Sequence, residues 1–340
     1  MKAITLIKYG KAGRAFETKE VPEPTLSDNN VLIKVDAFGL NYADVMARKG
    51  LYKDAPPIPC VLGYEVVGKI EQVGKDVNNF SAGQRVVAFT RFGGYAGYAV
   101  TDHRALVIIP EEMENGVAVA LATQYCTAYY CAYEMVNLDE GDRVLVHAAA
   151  GGVGIAIIQL AKRKGCIIYG TAGSDEKLEF LKEQGVNHPI NYRRSDFAGE
   201  IMKIRKGEGM DVIFDSVGGT TFNKSKKILA SGGRMVCYGA AERSGGRGGI
   251  LSDLRLAFSY GFLHPLGLLM KSQGVIGVNM LRIADNHPHV MQRCFKNVVD
   301  LTIRGEIKPH VGGVYNVREI ADAHNFLESR RSIGKIVVEW

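Results

Sequence analysis

Missing from this chain is a membrane-spanning run. Its apolar stretch at residues 245–270 is broken by Asp253, Arg255 and His264 and is followed at once by Lys271, too many interruptions for a bilayer span. No strongly basic face accompanies the stretch, which counts against a membrane-surface contact and for packing on its own domain, on a second subunit or along a substrate pocket. Blocks of like charge are missing as well: 42 basic and 36 acidic residues leave a formal charge of +6 over 340 residues. No nucleic-acid partner is expected, and an anionic cofactor is mildly favoured. The six cysteines, Cys60, Cys126, Cys131, Cys166, Cys237 and Cys294, show no paired spacing, which argues against a disulfide framework and a cysteine zinc cage. Several lie in apolar stretches, where a reduced thiol behaves as a small hydrophobe. No charged-then-apolar leader precedes the strand-like Lys2–Lys8, so the expected location is the cytoplasm.

What is present suits two domains, since 340 residues, 46% hydrophobic and 23% charged with 40 glycines, can bury two cores. Residues 1–122 alternate in short strands at Val31–Asp36, Val66–Val73, Gln84–Phe89 and Ala96–Val100, an antiparallel, barrel-like pattern. Beyond residue 123 strands near 143–148, 166–171, 211–217, 233–239 and 274–280 alternate with helices near 153–164, 175–184 and 220–229, as in a doubly wound parallel sheet. Helices near 288–304 and 318–330 follow, and a last apolar strand, 334–340, is expected to join the N-terminal sheet. The expected domains are 1–122 with 282–340, and 123–281 carrying an apolar insertion at about 245–272.

The apolar strand from Val144 runs through Gly151-Gly152-Val153-Gly154 into a helix. Gly151 lets backbone approach a pyrophosphate, Gly154 lets the helix pack closely on the strand, and the helix N-terminus offers unpaired N–H groups. Ala149 stands where the usual pattern has its first glycine, but the second strand at Cys166–Thr171 completes the βαβ unit of a dinucleotide cradle. An NAD-specific fold places an acid at the end of that second strand to hold the ribose 2′-OH. Here the position falls in the neutral Thr171-Ala-Gly173, so a 2′-phosphate meets no repulsion. Ser174 and Lys177 open the next helix and can bind it, while Asp175 and Glu176 either serve the helix N-terminus or turn toward the ribose. NADPH is the expected cofactor.

Taken together, Asn41-Tyr-Ala-Asp44, Gly50-Leu-Tyr52, Pro59-Cys-Val-Leu-Gly-Tyr-Glu-Val-Val-Gly68 and His147-Ala-Ala-Ala-Gly-Gly-Val-Gly154 resemble the medium-chain dehydrogenase/reductase superfamily, in its zinc-independent quinone oxidoreductase branch. The insertion before Gly274 and the ending Ser332-Ile-Gly-Lys-Ile-Val-Val338 resemble the branch's synaptic-vesicle membrane protein homologues. The resemblance implies an α/β fold with a GroES-like antiparallel β-barrel catalytic domain and a Rossmann cofactor domain. Zinc alcohol dehydrogenases of the superfamily carry soft ligands where Asn41, Tyr64 and Thr123 stand here, so no metal is expected.

The resemblance also implies site residues. Asn41 and Thr127 would lie near the nicotinamide, with the backbone of Gly239-Ala240 and Val278-Asn279 on its carboxamide. Gly173, Ser174, Lys177 and Tyr192 would contact the 2′-phosphate, and Gly334 and Lys335 would clasp the cofactor. Tyr52 and Tyr64 match pocket residues whose neutral phenols can donate to a substrate carbonyl. The implied reaction is hydride transfer to a quinone, with an enone (α,β-unsaturated carbonyl) reductase or a catalytically weak, membrane-associated NADPH-binding protein as the alternatives. A quinone already delocalises the arriving charge onto oxygen, so orientation, a dry pocket and hydrogen-bond donors suffice. Family members pair through the edge strand, here 274–280, and a homodimer recruiting part of 250–270 is expected.

Overall fold

In the computed structural model of the chain, which describes residues 1–241 and 263–340, eight strands occupy the first 108 residues: β1 (Lys2–Leu6), β2 (Phe16–Glu20), β3 (Asn30–Leu40), β4 (Cys60–Val61), β5 (Glu65–Val73), β6 (Arg85–Phe89), β7 (Tyr98–Asp102) and β8 (Leu106–Ile108). Six more follow, β9 (Arg143–Val146), β10 (Ile167–Ala172), β11 (His188–Asn191), β12 (Met210–Asp215), β13 (Leu229–Cys237) and β14 (Gly274–Gly277), and then β15 (Val311–Asn316) and β16 (Lys335–Glu339). By its contacts the chain divides into two units, Met1–Cys126 with Met280–Trp340, and Thr127–Asn279.

The first unit is organised by β3, where exposed Lys34 and Asp36 alternate with buried Ile33, Val35 and Ala37, the period-two pattern of a strand with one wet face. Around it runs a mixed sheet in the order β15-β16-β3-β5-β6-β8, with β7 also on β3, and a separate small sheet orders β2-β1-β4. The terminal strand β16 pairs antiparallel with β3, Val338 opposite Phe38, which carries Lys335 to the far end of β3 beside Leu40. The Ala96–Val100 strand of the sequence reading is displaced to β7. Strands β2, β8 and β15, too short or too polar to stand out as period-two runs, emerge only in the structure.

In the second unit all six strands are parallel and follow the order β11-β10-β9-β12-β13-β14. Val144, Leu145 and Val146 of the central β9 are fully buried, as expected where helices cover both faces of a parallel sheet. The helix Gly152–Arg163 buries Ile155, Ile157, Ile158 and Leu160 and ends at a chain reversal on Gly165, φ +78°. Sequence reading missed β11, a four-residue edge strand whose Pro189 is tolerable only at an edge, and the helix Phe197–Ile204, which puts Phe197 and Ile201 into the core. It also overran β14, which stops at Gly277 because a helix begins at Met280. Of the apolar insertion, residues 245–262 lie outside the described residues. Its last part is the helix Pro265–Lys271, on which Leu269 and Met270 are 73% and 78% exposed. No helix among the described residues is long and apolar enough to cross a membrane.

Candidate functional site

The strand order of the second unit reverses direction at β9 and β12, and ligands of open α/β sheets bind at the carboxyl ends of strands at such a switch point. Of the predicted cofactor residues, Gly151–Gly154, Gly173, Ser174, Lys177, Tyr192, Gly239-Ala240 and Val278-Asn279 follow those ends, whereas Asn41, Gly334 and Lys335 belong to the first unit and Thr127 to the helix Cys126–Tyr129. Gly151 caps the helix Gly152–Arg163, whose first turn also holds Val153 and carries no acidic side chain, so its N-terminal N–H groups and dipole are open to an anion. A Cβ on Gly154 would stand 2.6 Å from the Ala148 carbonyl oxygen and 2.8 Å from Ala149 Cα, which is why that helix turn accepts only glycine. Past β13, Gly239 packs on Ser216, and the N–H of Ala241, after Ala240, donates to the Ser216 carbonyl at 3.1 Å. Past β14, the Val278 N–H donates to the Cys237 carbonyl at 2.8 Å, and Asn279 is exposed.

At the end of β10, Ser174 caps the helix Asp175–Glu183, its hydroxyl accepting from the Lys177 N–H at 3.4 Å. A Cβ on Gly173 would meet the Tyr192 hydroxyl at 2.7 Å and Arg193 Nε at 3.2 Å, so the phenol and a guanidinium converge on that turn. Lys177 is half-buried, and desolvation depresses its ammonium pKa; Glu176 offsets the shift and the Arg193 charge adds to it. Asp175 does not turn toward the ribose position: Arg194 at 2.6 Å and the Asn191 amide at 3.3 Å hold its carboxylate. Arg193, missed in the sequence, is thus a second cation beside Lys177; its adjacency to Tyr192 was the available signal.

Beneath this edge His147 is buried, with Nδ1 3.0 Å from the Thr171 hydroxyl and Nε2 2.8 Å from the Ser225 hydroxyl. Burial lowers its pKa to about 4, against the opposing pull of Asp215. It is a neutral tie between two hydroxyls. Thr127 lies buried in the helix Cys126–Tyr129.

In the first unit the predicted residues Asn41 and Lys335 meet directly. Glu65 and Lys335 are both wholly buried and paired. Lys335 Nζ donates to Glu65 Oε1, to the Leu40 carbonyl at 3.2 Å and to Asn41 Oδ1 at 3.2 Å. Three protons are all an ammonium has, so the side chain expected to clasp the cofactor is committed internally, and any effect it has on a ligand passes through Asn41. Asn41 Nδ2 donates to Glu65 Oε1 at 2.8 Å, and the Thr123 N–H donates to Glu65 Oε2 at 2.9 Å. Gly334, φ +72°, lets the chain cross the His310 carbonyl. Glu65 was missed as a site residue, although an acid leading a buried apolar strand signals an internal cation.

The Asn41 N–H donates to Asp44 Oδ2 at 2.8 Å, and burial raises the Asp44 carboxyl to about 7. Tyr52 and Tyr64 are edge-to-face with centroids 6.3 Å apart, and Tyr64 also leans on Phe92 at 5.2 Å. Burial raises both phenols above their ordinary value, and the Asp44 charge adds to the shift. They are neutral donors.

The alcohol dehydrogenase GroES-like domain family matches residues 27–111, and the zinc-binding dehydrogenase family matches residues 152–296. The synaptic vesicle membrane protein VAT-1 homolog of Danio rerio is 33% identical over 339 residues, covering 99% of this chain and 69% of that protein. The chain belongs to the medium-chain dehydrogenase/reductase superfamily. Among solved members of that superfamily, Escherichia coli quinone oxidoreductase complexed with NADPH superposes with a TM-score of 0.87 at 27% identity, each chain covered completely. The CurK enoyl reductase superposes with a TM-score of 0.86 at 29% identity, covering 99% of this chain and 98% of that one. The protein is an oxidoreductase of GroES-like and Rossmann architecture. Although one matching family is described as zinc-binding, no group of three or more His, Cys, Asp or Glu among the described residues could hold a metal ion.

Proposed function

We propose that the protein reduces quinones with NADPH and without a metal ion. The observation that carries the cofactor assignment is the end of β10, where neutral Thr171-Ala-Gly173 is faced by Lys177, Tyr192 and Arg193 while Asp175 is neutralised by Arg194. A 2′-phosphate finds cations and a phenol there, with the Asp175 carboxylate engaged by Arg194. Bound in this way, the cofactor supplies the hydride. Gly151–Gly154 and the helix they open hold the pyrophosphate on N–H groups. The backbone of Gly239-Ala240 and of Val278-Asn279 would hold the carboxamide, and Thr127 would help to hold the nicotinamide. Asn41, Tyr52 and Tyr64 would orient the acceptor and donate hydrogen bonds to its oxygen, stabilising negative charge there, and a proton from solvent would complete the hydroquinone.

Similarity to the CurK enoyl reductase supports a second reading, in which the acceptor is an enone and the proton goes to carbon. Oxidation of NADPH in the presence of a panel of quinones and enones separates the two. Faster turnover of quinones supports the first reading, faster turnover of enones the second, and binding without turnover defeats both. Exhaustive chelation should leave the rate unchanged.

The assembly belongs to the same reading. Among the described residues strand β14 is the last of the sheet, and the exposed Leu266, Leu269 and Met270 precede it in the chain. Pairing with a second copy closes such an edge. Ile276→Pro removes a ladder donor there and should shift sedimentation toward monomer; a wild-type monomer at micromolar concentration would refute the dimer.

A further inference from the structure

The pair Glu65 and Lys335 has no exposed atom and no unsatisfied bond, yet only one of the groups it holds, the Asn41 side chain, is itself a predicted ligand contact. An asparagine amide has an oxygen end and a nitrogen end of similar shape, and its environment decides which way it points. Here the environment is unequivocal. The ammonium of Lys335 must face the oxygen, and the carboxylate of Glu65 must face an N–H; the flipped amide would set donor against donor and acceptor against acceptor. The Asn41 backbone is held as well, its N–H bonded to Asp44. Space enforces the arrangement, because a Cβ on Gly39 would lie 2.3 Å from both Glu65 Oε1 and Lys335 Cε. The amide oxygen faces Lys335 and the capping-box N–H of Asp44, and one amide N–H faces Glu65; among the described residues the second N–H is left over.

We propose that Glu65 and Lys335 are positioning residues that lock the Asn41 amide in one orientation, so that its remaining N–H is a fixed donor to a carbonyl oxygen of the acceptor. This rests on the reading of the protein as a carbonyl-conjugated acceptor reductase. A fixed donor strengthens its hydrogen bond as negative charge develops on that oxygen and needs no reorientation at the moment of reaction. A freely rotating amide would present either end. The bond strengthens with the charge on that oxygen, so acceptors that gather negative charge on a carbonyl oxygen, quinones and enones, gain most from it.

The test compares the full-length wild type with Glu65→Met/Lys335→Met, which removes both charges together and so leaves no unpaired ion in the core. Val86→Ala, a core change in the same unit, controls for lost stability. With NADPH and 1,4-naphthoquinone, the double variant should lose about 10- to 100-fold in kcat, the scale of a misplaced catalytic contact. Its KM for NADPH should stay within about threefold, as for an interaction made only in the transition state, and the control should keep its kcat. In wild-type protein labelled with 15N-asparagine, one Asn41 side-chain proton should be protected from exchange. The other should shift when NADP+ and 1,4-naphthoquinone, an unreactive pair, are added. An unchanged kcat in the double variant, or two Asn41 protons exchanging at the solvent rate, would overturn the proposal while leaving the functional reading intact. A wild type that oxidises no NADPH with any quinone or enone would overturn that reading, and the exchange measurement would still decide the orientation.

Discussion

Along the end of β10 the charged groups stand at or near the surface: Lys177 is half-buried, and Arg193, Arg194, Asp175 and Tyr192 are exposed. In the seven-stranded unit Glu65, Lys335, Asp44 and Arg48 are closed off from solvent altogether. Surface charges act at a distance through a high dielectric, are screened by salt and tolerate replacement. Removing the partner of a buried charge leaves it uncompensated, and what a buried pair such as Glu65–Lys335 returns for the desolvation is fixed geometry. In the proposed reading one region recognises a charge on a ligand, and the other holds a neutral amide still.

The sharpest way to break that contrast is to remove one member of each pair. Lys335→Met leaves Glu65 uncompensated in the core and should cost about 3–5 kcal/mol, read by urea unfolding. The double variant Glu65→Met/Lys335→Met should recover most of it. A single variant as stable as the wild type would show that the pair is not desolvated as its burial implies.

Acid and base dependence should differ in sign between Asp44 and His147. Asp44 keeps its proton up to about 7 in the fold, whereas its ordinary value is 3.8. The folded chain therefore holds an extra proton between those values, and the stability this contributes is full below about pH 4 and lost as pH rises to about 7. On the order of 4 kcal/mol is involved, and Asp44→Asn should flatten that decline. His147, depressed from 6.5 to about 4, acts the opposite way. Its contribution is present above about pH 6.5 and disappears as pH falls through 4, and His147→Gln should flatten the acid limb. Stability measured from pH 4 to pH 8 in both variants decides the matter, and identical slopes in all three proteins would contradict it.

Cofactor selectivity comes next in size. NADPH should bind at least about tenfold more tightly than NADH, or about 1.4 kcal/mol. Lys177→Ala should erase most of the difference, and Arg193→Ala a part of it. Equal affinity of the wild type for the two cofactors would remove the phosphate reading. Neither substitution should move the urea midpoint appreciably, in contrast to Lys335→Met.

These two regions were unequally legible in the chain. The glycine turn, the neutral end of β10 and Lys177 are local: strand, turn and helix start lie within about 35 residues of one another in a pattern that physics ties to phosphate binding. The buried cluster is not local. Asn41, Glu65 and Lys335 are joined across 24 and 294 residues; the last strand joins the N-terminal sheet as expected, but no periodicity names β3 as its partner. Lys335 could accordingly be read as a cofactor contact by resemblance, while its carboxylate partner went unassigned. Arg193 was hidden differently: it follows a four-residue edge strand too short and too polar to be recognised, so the turn that brings it to Gly173 was not anticipated.

The smallest effect tests the surface side most finely. The Arg194–Asp175 ion pair is exposed at both ends, so Arg194→Ala should change stability by less than about 0.5 kcal/mol. It also frees a carboxylate at the start of the helix whose Ser174 and Lys177 face the proposed 2′-phosphate. The liberated charge should repel that phosphate and reduce the NADPH preference by about two- to threefold in dilute salt, an effect of the size exposed charges exert. At 1 M salt, where the screening length falls to about 3 Å, the loss should vanish, because nothing but a through-solvent repulsion has been introduced. A preference that falls equally at both salt concentrations would mean that Arg194 contacts the cofactor itself, and that the surface cluster is as geometrically committed as the buried one.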